Sequence, residues 1–148
     1  MSLENTISEA IKTAMREKDK VALDALRAVK SQILLLKTEA KGAEVSAEQE
    51  IAILQRMIKQ RKDSYDQFTA QNRSDLAEVE SAQKKVIEKF LPAQLSAEEL
   101  ETEMKKIIAE TGAQSAKDLG KVMGIASKTL AGKSDGKSIS EMAKKLLS

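Results

Sequence analysis

The chain has 148 residues, of which 41% are hydrophobic and 32% are charged, and its formal net charge is +2. It contains neither cysteine nor histidine, which excludes disulfides, thiolate zinc sites, histidine metal ligands and Ser-His-Asp triads. Carboxylates and lysines remain as possible catalysts, but no specific arrangement of them is recognised. We therefore predict no catalytic residue set, no metal site and no cofactor, and the question of enzymatic activity stays open.

The composition favours an all-α fold. The chain has one proline, two phenylalanines and one tyrosine, whereas alanine, leucine, lysine and glutamate, which are good helix formers, are frequent. No useful stretch alternates apolar and polar residues with a period of two, the pattern of a half-buried strand. We therefore predict about seven helices and no sheet.

The sequence shows no sign of secretion or membrane insertion. The N-terminus has no basic start followed by an apolar run, so no secretory signal is predicted. The longest aliphatic run, Ile33–Leu36, is far shorter than a membrane span. We expect a soluble cytoplasmic protein with no membrane partner.

Four helical segments are predicted in the first 91 residues. The first three span about residues 2–17, 20–40 and 47–71, and the fourth ends near residue 90. Ser46 and Gln49 predict a capping box at the start of the third segment. The inward stripe includes Tyr65 on the third segment and Val79 and Ile87 on the fourth.

The segment Phe90–Ser96 (FLPAQLS) separates two groups of helices. Pro92 disfavours the α conformation at Leu91 and so ends the preceding helix. Ser96 and Glu99 then form a second capping box, which starts the next helix. Because this segment specifies both the end of one helix and the start of the next, we predict that it is an ordered joint between the two groups of helices.

Three shorter helices are predicted after the joint. They span about residues 97–110, 116–130 and 139–147, and Ser138 with Glu141 predicts a capping box for the last of them. The predicted architecture is a four-helix N-terminal domain over residues 1–91 and a small three-helix C-terminal domain over residues 96–148. The second domain is near the lower size limit for independent stability.

The sixth helical segment carries its positive charge on one side. On a helical wheel its apolar residues cluster together: Leu119, Val122, Met123, Ala126 and Leu130. Lys117, Lys121, Gly124 and Lys128 fall within about 60° of one another on the opposite side. Lys133 and Lys137 follow in a loop that also contains two glycines, Gly132 and Gly136.

Positive charge is concentrated at the end of the chain. From Lys117 onward there are seven lysines and three acidic residues, whereas residues 1–116 carry two more acids than bases. Lysines neutralise nucleic-acid phosphates, and a glycine lets a sugar–phosphate come close to the helix. We predict nucleic-acid contacts at these residues: Lys117, Lys121, Gly124, Lys128, Lys133 and Lys137.

Two structural alternatives apply to this stripe. Lysines opposite an apolar stripe form the ordinary solvated face of an amphipathic helix, and Gly124 equally allows a neighbouring helix to approach. The basic tail has no aromatic residue, which argues against base stacking and favours contacts to the shape and backbone of RNA. A second basic cluster, Arg56, Lys59, Arg61 and Lys62, is interpreted as a solvated face with local ion pairs.

Several segments together resemble one protein family, the YqeY-like (GatB/YqeY domain) family. They are KQRKDS at 59–64, QF at 67–68, RSDLA at 73–77, FLPAQLS at 90–96, GKVMG at 120–124 and GKSDGK at 132–137. The resemblance runs essentially from end to end. The leucine–proline joint combined with the last two segments is its most specific part.

The resemblance implies an all-helical protein whose three-helix tail is similar to the C-terminal domain of the B subunit of the tRNA-dependent amidotransferase. That domain is associated with contacting tRNA, and the family is classed with carbon–nitrogen ligases that use glutamine as amide donor. The chain has no counterpart of the amidotransferase catalytic body. We therefore expect an accessory protein that binds tRNA or structured RNA and is not catalytic alone. The alternatives are a helical adaptor for a protein partner without RNA and, less favoured, an amidotransferase in its own right.

Overall fold

The computed structural model describes residues 2–148. The seven helices are α1 (Leu3–Glu17), α2 (Lys20–Glu39), α3 (Ala47–Ala70), α4 (Ser74–Glu88), α5 (Ala97–Thr111), α6 (Leu119–Thr129) and α7 (Gly136–Leu147). A short 3-10 turn, Ala116–Asp118, precedes α6. The described residues contain no strand, which confirms the all-α prediction. Within the same residues, no helix combines the length and the hydropathy needed to cross a membrane.

The chain divides into two compact units. The first ends at Leu91 and contains α1 to α4, and the second, Pro92–Ser148, contains α5 to α7. Each unit has its own cluster of buried apolar side chains, and the two clusters share no residue. Residues 92–95, which the sequence presents as a joint, fall within the second unit.

The first unit consists of two helical hairpins. α1 and α2 pack together around a tight turn in which Lys18 has a φ of 57°, and α3 and α4 pack together across a short turn. α2 also packs against α4. The largest fully buried side chains of the unit are Ile7, Val29, Ile33, Leu54 and Ile87. Ser46 and Gln49 make both hydrogen bonds of a capping box at the start of α3, as predicted.

Two residues predicted to face inward are exposed instead. Tyr65 is 39% exposed and Val79 is 42% exposed. The buried side of α3 is set by Ile53, Leu54 and Met57, which leaves Tyr65 on its flank, about 70° from their mean direction on an ideal wheel. The spacing of apolar residues was sufficient to identify the helices, but it did not show which side of each helix is buried against its neighbours.

The second unit packs α5, α6 and α7 against one another in pairs. α5 begins at the predicted capping box, in which Ser96 and Glu99 exchange backbone and side-chain hydrogen bonds. It ends at Gly112, whose φ of 71° places it in the left-handed region. The core is formed by nine buried residues: Leu100, Met104, Ile107, Val122, Ala126, Leu130, Ile139, Ala143 and Leu147.

α7 begins three residues earlier than predicted. Its N-cap is Asp135, whose Oδ1 accepts a hydrogen bond from the Ser138 backbone N–H at 2.6 Å. The predicted capping box of Ser138 and Glu141 is therefore wrong, because the Asp135 carboxylate captures a first-turn N–H one turn earlier. As a result, Gly136 and Lys137 belong to the first turn of α7 and not to the preceding loop.

Candidate functional site

The residues predicted to contact nucleic acid all lie in the second unit. We call them the lysine surface: Lys117, Lys121, Gly124, Lys128, Lys133 and Lys137. All six are exposed. They do not all share one helix, however, since Lys117 lies in the 3-10 turn, Lys133 in the loop after α6 and Lys137 in the first turn of α7.

α6 brings three members of the lysine surface together. Val122 and Ala126 are fully buried at 0% exposure and fix the inward side of the helix. Lys121, Gly124 and Lys128 lie on the opposite side, and helical rise separates the two lysines by about 10 Å along the axis. Because the 3-10 turn interrupts the predicted helix, Lys117 precedes this face and is not on the same continuous wheel.

Gly124 faces open space. A Cβ atom built on Gly124 meets no other atom within 4 Å, and the same is true of Gly120, one turn earlier. Close approach of a neighbouring helix of the second unit therefore does not explain Gly124. The exposed side of α6 thus presents bare backbone beside two lysines, and Gly120 adds to it a position that the sequence analysis did not single out.

Lys121 has a contact inside the unit. Its Nζ donates a hydrogen bond to the backbone oxygen of Thr111, at 3.2 Å, near the C-terminal end of α5. A cation at that end satisfies a free carbonyl and interacts favourably with the helix dipole. An ammonium group has three donors, so Lys121 keeps two for an outside acceptor.

The acids near the lysine surface are occupied by backbone groups. Oδ2 of Asp118 accepts hydrogen bonds from the backbone N–H groups of Gln114 and Ser115, which hold the pKa of Asp118 below its ordinary value. The Asp135 carboxyl also has a lowered pKa, mainly because it accepts the Ser138 N–H bond. In the part of the chain that the structure describes, no salt bridge involves a lysine of the lysine surface. Nor do residues 2–148 hold a group of three acidic side chains placed to bind a metal ion.

An exposed apolar residue, Ile125, lies among these lysines. It is 39% exposed and stands one turn after Lys121, about 40° away on an ideal wheel. No role was predicted for Ile125 from the sequence. Its position on the wheel was the available signal, because an isoleucine on the charged side of an amphipathic helix breaks the pattern.

Three of the four residues of the second basic cluster, all but Lys59, make polar contacts within the first unit. Lys62 pairs with Asp66 at 3.5 Å, as the ion-pair interpretation predicted. Arg61 is only partly exposed; it donates to the backbone oxygen of Met57, and burial lowers its pKa. The partial burial of Arg61 differs from the predicted solvated face. The cluster therefore offers less free positive charge than the lysine surface.

Two curated proteins are similar to part of the chain. The first, from Meyerozyma guilliermondii, is named "Altered inheritance of mitochondria protein 41, mitochondrial"; it is 38% identical over 92 residues, covering 59% of this chain and 45% of the relative. The protein of the same name from Clavispora lusitaniae is 31% identical over 90 residues, covering 61% of this chain and 52% of the relative. The chain thus matches about half the length of these relatives.

The names of these relatives contradict the predicted cytoplasmic location. Both describe mitochondrial proteins, so the prediction is wrong. It depended on the absence of a basic start followed by an apolar run. That pattern detects secretory signals only, since mitochondrial leaders are amphipathic, arginine-rich and serine-rich and have no apolar core segment.

A family model covers almost the whole chain. The model described as "Yqey-like protein" matches residues 4–147, which includes all seven helices except the first residue of α1. The match confirms the resemblance identified from the joint and from the glycine- and lysine-containing segments. The chain therefore belongs to the YqeY-like protein family.

Proposed function

We propose that this protein is an accessory module that binds tRNA or another structured RNA through the lysine surface and is not catalytic alone. The proposal depends on the positive charge of the lysine surface, which lies in the part of the second unit from Lys117 onward, where the net charge is +4. Within the described residues, the five lysines of the lysine surface form no salt bridge. The nearby carboxylates of Asp118 and Asp135 accept backbone N–H bonds and act on Lys121 and Lys137 only through Coulomb attraction. The positive charge of the lysine surface attracts a polyanion and releases its counterions.

The composition of the unit favours contacts to the RNA backbone. Residues 92–148 contain no aromatic side chain on which an unpaired base could stack. The exposed residues of α6 are lysines, glycines, Ile125, Ser127 and Thr129. None of them is an arginine, asparagine or glutamine, the side chains that recognise a base edge with two donors or with a donor and an acceptor in a fixed plane. We expect such a surface to position RNA by its phosphates and its shape.

The test is binding of the full chain to tRNA across a range of salt concentrations. If about four lysines contact phosphates, log K falls with log salt at a slope of roughly −3 to −4. The Lys128 side chain forms no hydrogen bond or salt bridge within the described residues, so Lys128→Ala weakens binding and makes the slope of log K against log salt shallower by about one. Gly124→Leu weakens binding by steric blockage.

The matched control removes charge elsewhere in the same unit. Lys105 and Lys106 pair with Glu101 and Glu103 on α5, so replacing both lysines by alanine leaves the slope unchanged. A wild-type slope near zero contradicts the proposal. So does an equal loss in the control, because binding then follows net charge and not the lysine surface.

The ligase class implied by the family is outside the proposal. The activity would need groups that activate a carboxylate and release ammonia from glutamine, and no residues of this chain are predicted to supply them. The direct measurement is glutamine-dependent amidation of a misacylated tRNA by the pure chain. Product formation would overturn the non-catalytic part of the proposal.

A groove in the first unit favours a second candidate, a protein adaptor. Between α2 and α3 lies a groove of about 480 Å³, lined by Leu35, Leu36, Ala52 and Ile53 with polar side chains around them. Leu35 is 52% exposed. A pull-down from nuclease-treated extract tests this candidate. Partners that persist without RNA and are lost in Leu35→Ser favour the adaptor.

A further inference from the structure

The segment before α5 is tied to the loop between α6 and α7. The side-chain amide of Gln94 donates hydrogen bonds to the backbone oxygens of Gly132 and Pro92. The next residue, Leu95, donates its backbone N–H to the oxygen of Lys133 at 2.8 Å. All of these residues belong to the second unit. The joint predicted from the sequence is therefore hydrogen-bonded to the backbone of Lys133, a member of the lysine surface.

These bonds fix the main chain at Lys133 from both sides. The Lys133 N–H donates to the oxygen of Leu130 at 3.0 Å, while its oxygen accepts from Leu95. The preceding residue, Gly132, is buried and has a φ of 75°, a conformation that glycine adopts without strain. Lys133 itself is exposed. Successive peptide groups are thus held in place beneath a side chain that faces solvent.

We infer that Gln94 is a positioning residue that presents Lys133 to the RNA phosphate backbone. This inference rests on the proposed function. Gln94 is itself exposed, and its amide bridges two carbonyls that belong to different segments, Pro92 and Gly132. A loop ordered before binding loses less conformational freedom when its lysine meets a phosphate. The FLPAQLS segment thereby acquires a role in binding besides starting α5.

The experiment removes the amide and keeps the length of the side chain. Gln94→Met deletes both hydrogen bonds, and Gln114→Met is the matched control, because Gln114 is exposed in the same unit and its side chain forms no hydrogen bond within the described residues. Binding of the full chain to tRNA is measured against salt for both variants, for Lys133→Ala and for the Gln94→Met, Lys133→Ala double variant. Circular dichroism verifies that each variant is folded.

We expect Lys133→Ala to reduce the steepness of the salt dependence by about one. Gln94→Met alone reduces the steepness by at least half as much as Lys133→Ala does. In the Lys133→Ala background, Gln94→Met causes no further reduction, because the effects of two residues that act through one another are not additive. Gln114→Met binds like the wild type. Hydrogen exchange at the Lys133 amide becomes faster in Gln94→Met, because the loop loses its tie.

Three results would overturn the inference. A Gln94→Met variant with the wild-type slope rejects it and leaves the proposed function standing. An equal further loss in the Lys133→Ala background shows that Gln94 acts elsewhere. A wild-type chain that does not bind tRNA rejects both the proposed function and the inference.

Discussion

At the scale of single residues, the exposed glycines of α6 are the least explained by the fold. A glycine inside a helix destabilises it by about 1 kcal/mol relative to alanine. At Gly120 and Gly124 no described residue of the second unit occupies the space that a side chain would fill. No contact within the second unit offsets this loss of stability. It becomes understandable if an outside molecule approaches the backbone of α6.

Replacing Gly124 by alanine separates stability from binding. We expect Gly124→Ala to raise the free energy of unfolding by about 1 kcal/mol, because the backbone is helical and the added methyl meets no atom. The same variant weakens tRNA binding by holding the RNA backbone farther from the helix. Urea unfolding and a salt titration measure the two effects.

Gly112 provides the control for this substitution. Its φ of 71° lies in the left-handed region, where an L side chain costs about 1–2 kcal/mol. Gly112→Ala should therefore lower stability where Gly124→Ala raises it. If Gly124→Ala binds tRNA as well as the wild type, the close approach assigned to Gly124 is wrong.

At the scale of helices, the start of α7 depends on a single carboxylate. Asp135 accepts the Ser138 N–H, and this bond lowers the pKa of the carboxyl. A folded-state pKa below the unfolded value gives stability that is present above the unfolded pKa. That stability is lost as the pH falls through the folded-state pKa.

Asp135→Ala is expected to lower the free energy of unfolding by about 1 kcal/mol at pH 7. The difference from the wild type shrinks as the pH falls below the ordinary range of an aspartate, because the protonated carboxyl is a weaker cap. Urea unfolding at pH 7 and near pH 3 measures the change. Glu141→Ala, at the partner position of the capping box predicted from the sequence, stays within about 0.5 kcal/mol of the wild type.

α4 offers a test of which side of a helix is covered. The sequence places both Val79 and Ile87 on the inward stripe, whereas the structure leaves Val79 42% exposed and buries Ile87 completely. We expect Ile87→Ala to cost about 2–5 kcal/mol of stability, because it opens a cavity in the core. Val79→Ala costs well under half as much. Similar losses in thermal unfolding would contradict the packing of α4 described above.

At the scale of the whole molecule, the protein has two separate hydrophobic cores, one in each unit. The buried clusters of the two units share no residue, and the lysine surface lies entirely in the second unit. From Lys117 onward the chain has a net charge of +4, whereas the preceding residues have a small negative balance. The charge proposed to attract RNA is therefore carried by the smaller unit.

We expect residues 92–148 to fold alone, with a cooperative thermal transition and a modest free energy of unfolding, because the nine buried residues of their core all belong to this unit. The isolated unit should also bind tRNA with a salt slope within about one of the full-chain value. Circular dichroism and a salt titration check the two expectations. A random-coil spectrum contradicts the first, and a slope near zero from a folded fragment contradicts the second.

The sequence alone determined the features that depend on near neighbours along the chain. Helix periodicity, the capping boxes at Ser46 and Ser96, the stop at Pro92 and the charge balance need only residues within a turn or two. Family membership also followed from short segments in their order. These features were sufficient for the all-α class and for selecting the residues of the lysine surface.

Only the tertiary structure decided which groups meet when they are distant in sequence. It left Tyr65 exposed and kept the space beside Gly124 free of other residues of the second unit. It also joined Gln94 to Gly132 and Lys121 to Thr111. The choice of Asp135 over Ser138 as the N-cap of α7 is instead a local one, between residues three apart, which the sequence prediction got wrong. Local patterns specify which residues prefer a helix or a cap, but burial and long-range hydrogen bonds depend on how the helices pack, and no short window of sequence contains that information.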